Sequence, residues 1–285
     1  MHKQILVFYR RGALGDTLLT FPALEILKKR GFYIIAIGNS EYFTLAKSVN
    51  WIDETYSDFY PQLLAKLPPD TTFYLFTRAE FPFLKSFANV FYFPPFPEKR
   101  MWMVNYYLKV LNLKEVFSRV LPLSDPYNSS SSSKHTKIAV IHPGSGSQKK
   151  VPPFEFFEKI EKFLLKKSYQ VVYFLGTAEE NLEPLLKNAE KKFFKSREIF
   201  EVVKFLKSAE VFVGVDSGIS HLAGYLGIKS FVFFGPSDTL MWEPIGLKVK
   251  VISLNLKCSP CFPDVCEERK CFNPDLLFKE FLKHF

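Results

Sequence analysis

The sequence lacks any apolar run approaching the roughly 18 residues that a membrane-crossing helix needs, so no transmembrane segment is expected. It also lacks a recognisable leader. The first four residues lead straight into the apolar stretch 5–9 and then Arg10 and Arg11, too short for a secretory signal, and a cytoplasmic chain is expected. The dinucleotide spacing G-x-G-x-x-G is missing from the first turn, where Gly12 and Gly15 stand three apart, which counts against an NAD-linked oxidoreductase. There is no basic tail, no zinc-finger spacing with histidine and no RNA-binding aromatic signature, so nucleic acid is not an expected partner. Cysteine is scarce: all four fall between Cys258 and Cys271.

What is present is a large core and a basic balance. Apolar residues make up 47% of the 285, enough for one large domain or two modest ones. Phenylalanine is abundant at 32. The net charge of +9 favours anionic partners such as nucleotides, phosphorylated lipids, acidic membrane surfaces or nucleic acid, or else is plain solubility.

Residues 211–224 organise the rest. The apolar run VFVGV stops at Asp216, Ser217 and Gly218; Ile219, Leu222, Ala223 and Leu226 then recur at helical spacing. The pattern predicts a buried parallel strand, a tight turn and a helix beginning near Ser217. Such a turn directs free N–H groups and the positive end of a helix dipole into a crevice, where phosphate is the natural guest. The competing reading is an ordinary strand-to-helix turn with an Asp or Ser cap.

Taken in order, strand 5–9 runs through the turn 10–17 into a helix over 18–29, with Pro22 in its first turns, and then into strand 33–37. Helices are expected over 41–49 and 101–112, and strands over 72–76 and 90–93. Five serines at 129–133 read as a linker. A second series of strands and helices follows: strand 138–141, helix 154–166, strand 171–175, helices 180–191 and 199–208, the central motif and strand 230–234. The resulting division is an N-terminal domain over 1–128, a linker over 129–137 and a C-terminal domain over 138–285. The last helix, 275–284, is a candidate to return to the first domain. The fold class is α/β, with two Rossmann-like domains facing a cleft.

Four turns of the second half, at 142–147, 176–180, 214–221 and 235–238, fall along one sheet edge in a doubly wound sheet. Ser145 and Ser217 add hydroxyls there, and Lys149 or Lys150 adds positive charge. Glu180 is placed to accept hydrogen bonds from a ribose, or else simply begins a solvated helix. His221 either touches a pyrophosphate or braces the helix beneath it. In the first half Asp16 is the carboxylate at a glycine turn. It fits a general base toward an acceptor hydroxyl, or a cap for the following helix. Arg10 and Arg11 are candidates to hold phosphates or acidic sugars, or are surface charges. The cysteines, C-x-x-C at 258–261 with Cys266 and Cys271, suit a tetrahedral zinc site, two disulfides or free thiols, in each case with a structural role.

Six stretches in one order, RRGALGDTLLTFPAL (10–24), IHPGS (141–145), KKVP (149–152), GVDSGISHLA (214–223), FFGPSD (233–238) and CSPC (258–261), resemble the lipopolysaccharide heptosyltransferases of glycosyltransferase family nine. The resemblance implies a GT-B fold and inverting transfer of heptose from ADP-heptose to a lipopolysaccharide inner-core acceptor, with no cofactor and no catalytic metal. It implies Asp16 as base, with Gly15, Arg10 and Arg11 on the acceptor side. Ser145, Lys149, Glu180, Asp216, Ser217, Gly218 and His221 then hold the donor. The implied partners are an ADP-sugar and an anionic lipid-linked saccharide, reached peripherally at the cytoplasmic face of the inner membrane. Val151 stands where the family usually carries tryptophan, and the acceptor half is compact. Two rival readings remain at this point: a non-catalytic nucleotide-sugar-binding member, and a glycosyltransferase with a different donor or acceptor.

Overall fold

A computed structural model describes residues 3–124, 137–264 and 266–285. The chain divides into two compact units, Met1–Leu123 and Ser124–Phe285. The serine run expected as a linker lies outside the described residues.

In the first unit the elements are β1 (Ile5–Arg10), α1 (Leu14–Leu18), α2 (Phe21–Lys29), β2 (Tyr33–Gly38), α3 (Ser40–Ser48), β3 (Glu54–Tyr56), α4 (Pro61–Leu64), β4 (Thr72–Phe76), β5 (Asn89–Phe93) and α5 (Met103–Val110). The strands form one parallel sheet in the order β3-β2-β1-β4-β5. Chain order reverses between β1 and β4, so the turns after these two strands flank the crevice where ligands bind in open α/β sheets. Strand alternation sorts the core. Val7, Tyr9, Phe73 and Leu75 pack with Leu63 and Leu84 on one face. On the other, Phe76 meets Phe8 and the Tyr107 ring of α5.

The expected helix over 18–29 is two helices. Pro22 has no N–H to give the carbonyl of Leu18, and the hydroxyl of Thr20 turns back to the carbonyl of Thr17 (2.7 Å). The first turn is therefore an independent helix, α1, with Asp16 inside it. Asp16 does not cap helix 18–29. Its Oδ2 accepts the N–H of Ala13, the residue preceding α1, at 3.1 Å.

The second unit runs β6 (Ile138–His142), α6 (Phe154–Lys166), β7 (Gln170–Leu175), α7 (Glu183–Asn188), β8 (Phe193–Lys195), α8 (Ile199–Lys207), β9 (Val211–Val215), α9 (Gly218–Tyr225), β10 (Lys229–Phe233), α10 (Thr239–Trp242), β11 (Val249–Ile252) and α11 (Pro274–Leu282). Its six strands are parallel, in the order β11-β10-β9-β6-β7-β8, with the reversal between β6 and β9. The helix expected over 180–191 is a 3-10 turn, Thr177–Leu182, followed by α7, because Pro184 starts a new helix at its first turn.

The last helix packs into the core of the second unit. Leu277 and Phe281 of α11 are wholly buried in the second unit's core, beside Phe156, Phe231 and Phe233. Phe281 sets its ring edge-on to Phe163 and Phe231, at 5.6 and 5.0 Å. Burying two such side chains contributes about 3–6 kcal/mol, which decides where the helix packs.

Candidate active site

In the second unit the site is built on the β6–β9 reversal. After β9, Asp216 and Ser217 turn the chain into α9, and Ser217 Oγ accepts the N–H of Ser220 (3.3 Å) as the N-cap. Ser220 Oγ in turn donates to the carbonyl of Val215 (2.5 Å), closing the turn on the end of its own strand. After β6, the hydroxyl of Ser145 crosses the reversal and donates to the carbonyl of Asp216 at 2.7 Å. Lys150 brings its Nζ to 2.8 Å from Asp216 Oδ2. Ser145, Asp216, Ser217, Gly218 and Lys150 thus converge at one sheet edge, beside the N-terminus of α9 and its positive dipole end.

Two sequence candidates stand apart from this cluster. Lys149 donates instead to the carbonyl of Pro263 (2.7 Å). Glu180 is exposed and bound to Arg197 (2.7 Å); that bond first, with Lys195 second, holds its carboxyl below the usual range. Its neighbour Glu179 turns inward: it is 3% exposed, accepts the Gly176 N–H at 2.9 Å and lies under Gly144. A Cβ on Gly144 would come within 1.9 Å of the Glu179 carboxylate, which is why the IHPGS turn needs glycine there. His221 is buried in α9, its backbone N–H bonded to the Ser217 carbonyl. His142, at the end of β6, is also buried, with Nδ1 at 3.1 Å from the Phe174 carbonyl, and burial pushes its pKa down.

In the first unit the corresponding turn follows β1. Asp16 is held at both oxygens: Oδ1 by Arg10 Nη2 at 2.8 Å and Oδ2 by the Ala13 N–H. Gly12 makes this possible, since a Cβ there would sit 2.5 Å from Asp16 Cβ. Gly15 is buried within α1. Arg10 is only 5% exposed and donates through Nε to Tyr107 Oη at 3.0 Å. Burial opposes its charge, but Tyr107 and Asp16 outweigh that and raise its pKa above the ordinary value. Tyr107 is pushed up to about 12, chiefly by burial, against the pull of Arg10. Arg11 points away, to Asp58 Oδ2 at 2.6 Å. Tyr107 and Glu179 were not among the candidates read from the sequence. Neither carries a local signal, except that glycine at position 144 marks a close approach.

The four cysteines are unbridged here, with Cys261 and Cys271 partly buried and Cys258 and Cys266 exposed. Among the described residues, no three His, Cys, Asp or Glu side chains are arranged to hold a metal ion. The cysteine loop braces the turn that carries Lys150: the N–H groups of Cys261 and Phe262 go to the Pro236 carbonyl, and Arg269 donates to the carbonyls of Gln148 and Val151.

Among solved structures, the chain resembles E. coli ADP-heptose LPS heptosyltransferase II with a TM-score of 0.69 at 17% identity, covering 98% of each chain. E. coli heptosyltransferase WaaC, solved with ADP, gives a TM-score of 0.70 at 14% identity, over 99% of this chain and 100% of that one. A family 9 glycosyl transferase from Veillonella parvula DSM 2008 gives 0.66 at 17% identity, over 87% and 85%. These likenesses show a common fold, the two-domain GT-B architecture. Comparison with curated proteins found no match. The sequence model for glycosyltransferase family 9 (heptosyltransferase) matches residues 99–272, more than half of the chain and all of the β6–β9 site. The chain therefore belongs to glycosyltransferase family 9, the heptosyltransferase family, and is a glycosyltransferase.

Proposed function

We propose that this enzyme transfers heptose from ADP-heptose to a lipopolysaccharide inner-core sugar, with inversion and without a catalytic metal. The observation that carries this reading is the convergence of Lys150, Ser145 and the α9 N-terminus on Asp216 and Ser217. A departing ADP gains negative charge as its bond to the sugar breaks. A lysine and a helix N-terminus stabilise that charge where it develops, which is the part a metal ion plays in other sites. The ADP bound by the E. coli relative of similar fold favours the same donor base. Ser217, Gly218 and His221 line the donor's diphosphate and sugar in this reading.

The acceptor hydroxyl is deprotonated by Asp16, which Arg10 and the Ala13 N–H keep in a single orientation. Attack from the face opposite the leaving ADP inverts the anomeric carbon. The acceptor in this reading is anionic and lipid-linked, at the cytoplasmic face of the inner membrane, where the net charge of +9 favours approach; Arg10 serves it through Asp16, and Arg11, turned to Asp58, does not reach it.

The test has two arms. A thermal-shift screen of ADP, UDP, GDP and their sugars should single out ADP-heptose; preference for another base refutes the donor. Replacing Asp16 by Asn should lower transfer about 100- to 10,000-fold while ADP binding persists; an active variant refutes the base.

A further inference from the structure

We propose that one face of the first unit's sheet, carrying Phe59, Phe81, Phe83 and Tyr92 with Arg78 and Lys85, is the surface by which the enzyme docks on an anionic lipid bilayer. The proposal rests on the reading that the acceptor is lipid-linked, and names the part of the chain that meets the lipid.

The two faces of this sheet are covered unequally. On the far face α5 lays Tyr106 and Tyr107 against Phe76. On the near face the cover is the four-residue α4 and a single 3-10 turn, Pro82–Ser86. Between that turn and the edge strand β5 lies an open groove of about 460 Å³, lined by Arg78, Phe81, Lys85, Phe87 and Tyr92 among others. Phe59, Phe81 and Phe83 pack on one another, edge-on or tilted, with ring separations of 5.0–5.5 Å, so a connected aromatic cluster reaches the surface. Phe83 and Tyr92 are 47% and 42% exposed there. Leaving a clustered phenylalanine in water costs free energy that a soluble monomer has no reason to bear, whereas the bilayer interface accepts aromatic rings at headgroup depth.

Charge selects the occupant. The groove is lined by the exposed cations Arg78 and Lys85 against the one carboxylate of Glu80. Cations around an aromatic patch match anionic headgroups; they would weaken contact with a neutral surface or a basic partner.

Position gives the surface a purpose. β1 and β4 are parallel neighbours, so Arg78, just past β4, lies at the same sheet edge as Arg10 and the Asp16 turn. The Phe81 ring packs edge-on against Tyr9 of β1 at 5.1 Å, and Arg10 lies over the ring of Phe96 at 5.3 Å. A lipid seated on this face would present its head sugar at the edge that carries Asp16.

Flotation of the full chain with vesicles tests this. It should float with phosphatidylglycerol–phosphatidylethanolamine vesicles and not with phosphatidylcholine. Phe83→Ser and Lys85→Glu should each lower the bound fraction about tenfold, while Phe200→Ser, an exposed ring on the second unit, should leave it unchanged. ADP affinity by calorimetry should be the same in all three variants, so loss of flotation with intact ADP binding is separable from failure of the donor reading. The proposal is overturned if the native chain does not float, if Phe83→Ser floats normally, if Phe200→Ser fails equally, or if size-exclusion shows a dimer that Phe83→Ser dissolves.

Discussion

Arg10 Nη2 lies 2.8 Å from Asp16 Oδ1, and the two side chains are 6% and 22% exposed. The pair sits where the first sheet's chain order reverses, and Tyr107 holds the arginine from behind. If Asp16 is the base, as proposed, a carboxylate held this way is oriented before an acceptor arrives, and little ordering is left for the transition state. Arg10→Met should lower kcat by about 10- to 100-fold with the ADP affinity unchanged. Tyr107→Phe should give a smaller loss in the same direction, since it removes only the hydrogen bond that steadies Arg10. Steady-state kinetics with calorimetry of ADP binding would check both.

The lysine pair separates two readings that look alike in sequence. Lys150→Met should reduce transfer about 100- to 1,000-fold, as expected for loss of one group that stabilises a developing negative charge. Lys149→Met loses the bond to the Pro263 carbonyl rather than a contact with Asp216, and should stay within about tenfold of the native rate. Parallel kinetics on the two variants decide which lysine serves the donor.

Stability should fall on the acid side because of His142. Its folded pKa is depressed by burial, so below about pH 6.5 the unfolded chain binds a proton that the folded chain refuses. The contribution is intact above that value and is lost as pH falls toward the folded pKa, at no more than about 1.4 kcal/mol per pH unit. Urea unfolding from pH 7.5 to 5.5 should show a flatter slope for His142→Asn, whose amide can still donate to the Phe174 carbonyl.

The cysteines should react unequally. Cys261 and Cys271 have their thiol pKa raised, first by burial and then by neighbouring cysteines. At neutral pH they carry little thiolate, so alkylation of the reduced, chelator-treated protein should be slower there than at exposed Cys258 and Cys266, and should speed up as pH rises. Mass spectrometry of partly alkylated peptides would read the order.

Phe281→Ala should destabilise the second unit by about 3–5 kcal/mol, because α11 closes its core and a large cavity would remain. A shift in thermal unfolding of the full chain, with ADP binding lost at a lower temperature than in the native protein, would confirm where this helix belongs.

Much of the fold was legible along the chain because its signals are local. Apolar runs ending in glycine or small polar turns marked β1, β6, β7, β9 and β10, and Ser217 was readable as a helix start since its cap needs only the next three residues. The short strands β3, β8 and β11 escaped notice; with three or four residues each, they are strands only because a neighbour pairs with them.

By itself, the sequence determined the alternation of strands and helices, the family, and the turns that carry Asp16 and Asp216. Periodicity and motif order are properties of adjacent residues, and they survive without knowledge of what packs where. Only the tertiary structure chose Lys150 over Lys149 as the partner of Asp216, turned Glu179 inward and Glu180 out to Arg197, and brought Tyr107 to Arg10 from 97 positions away. Adjacent side chains point in different directions, and which of them meets the site depends on strands and helices distant in the chain.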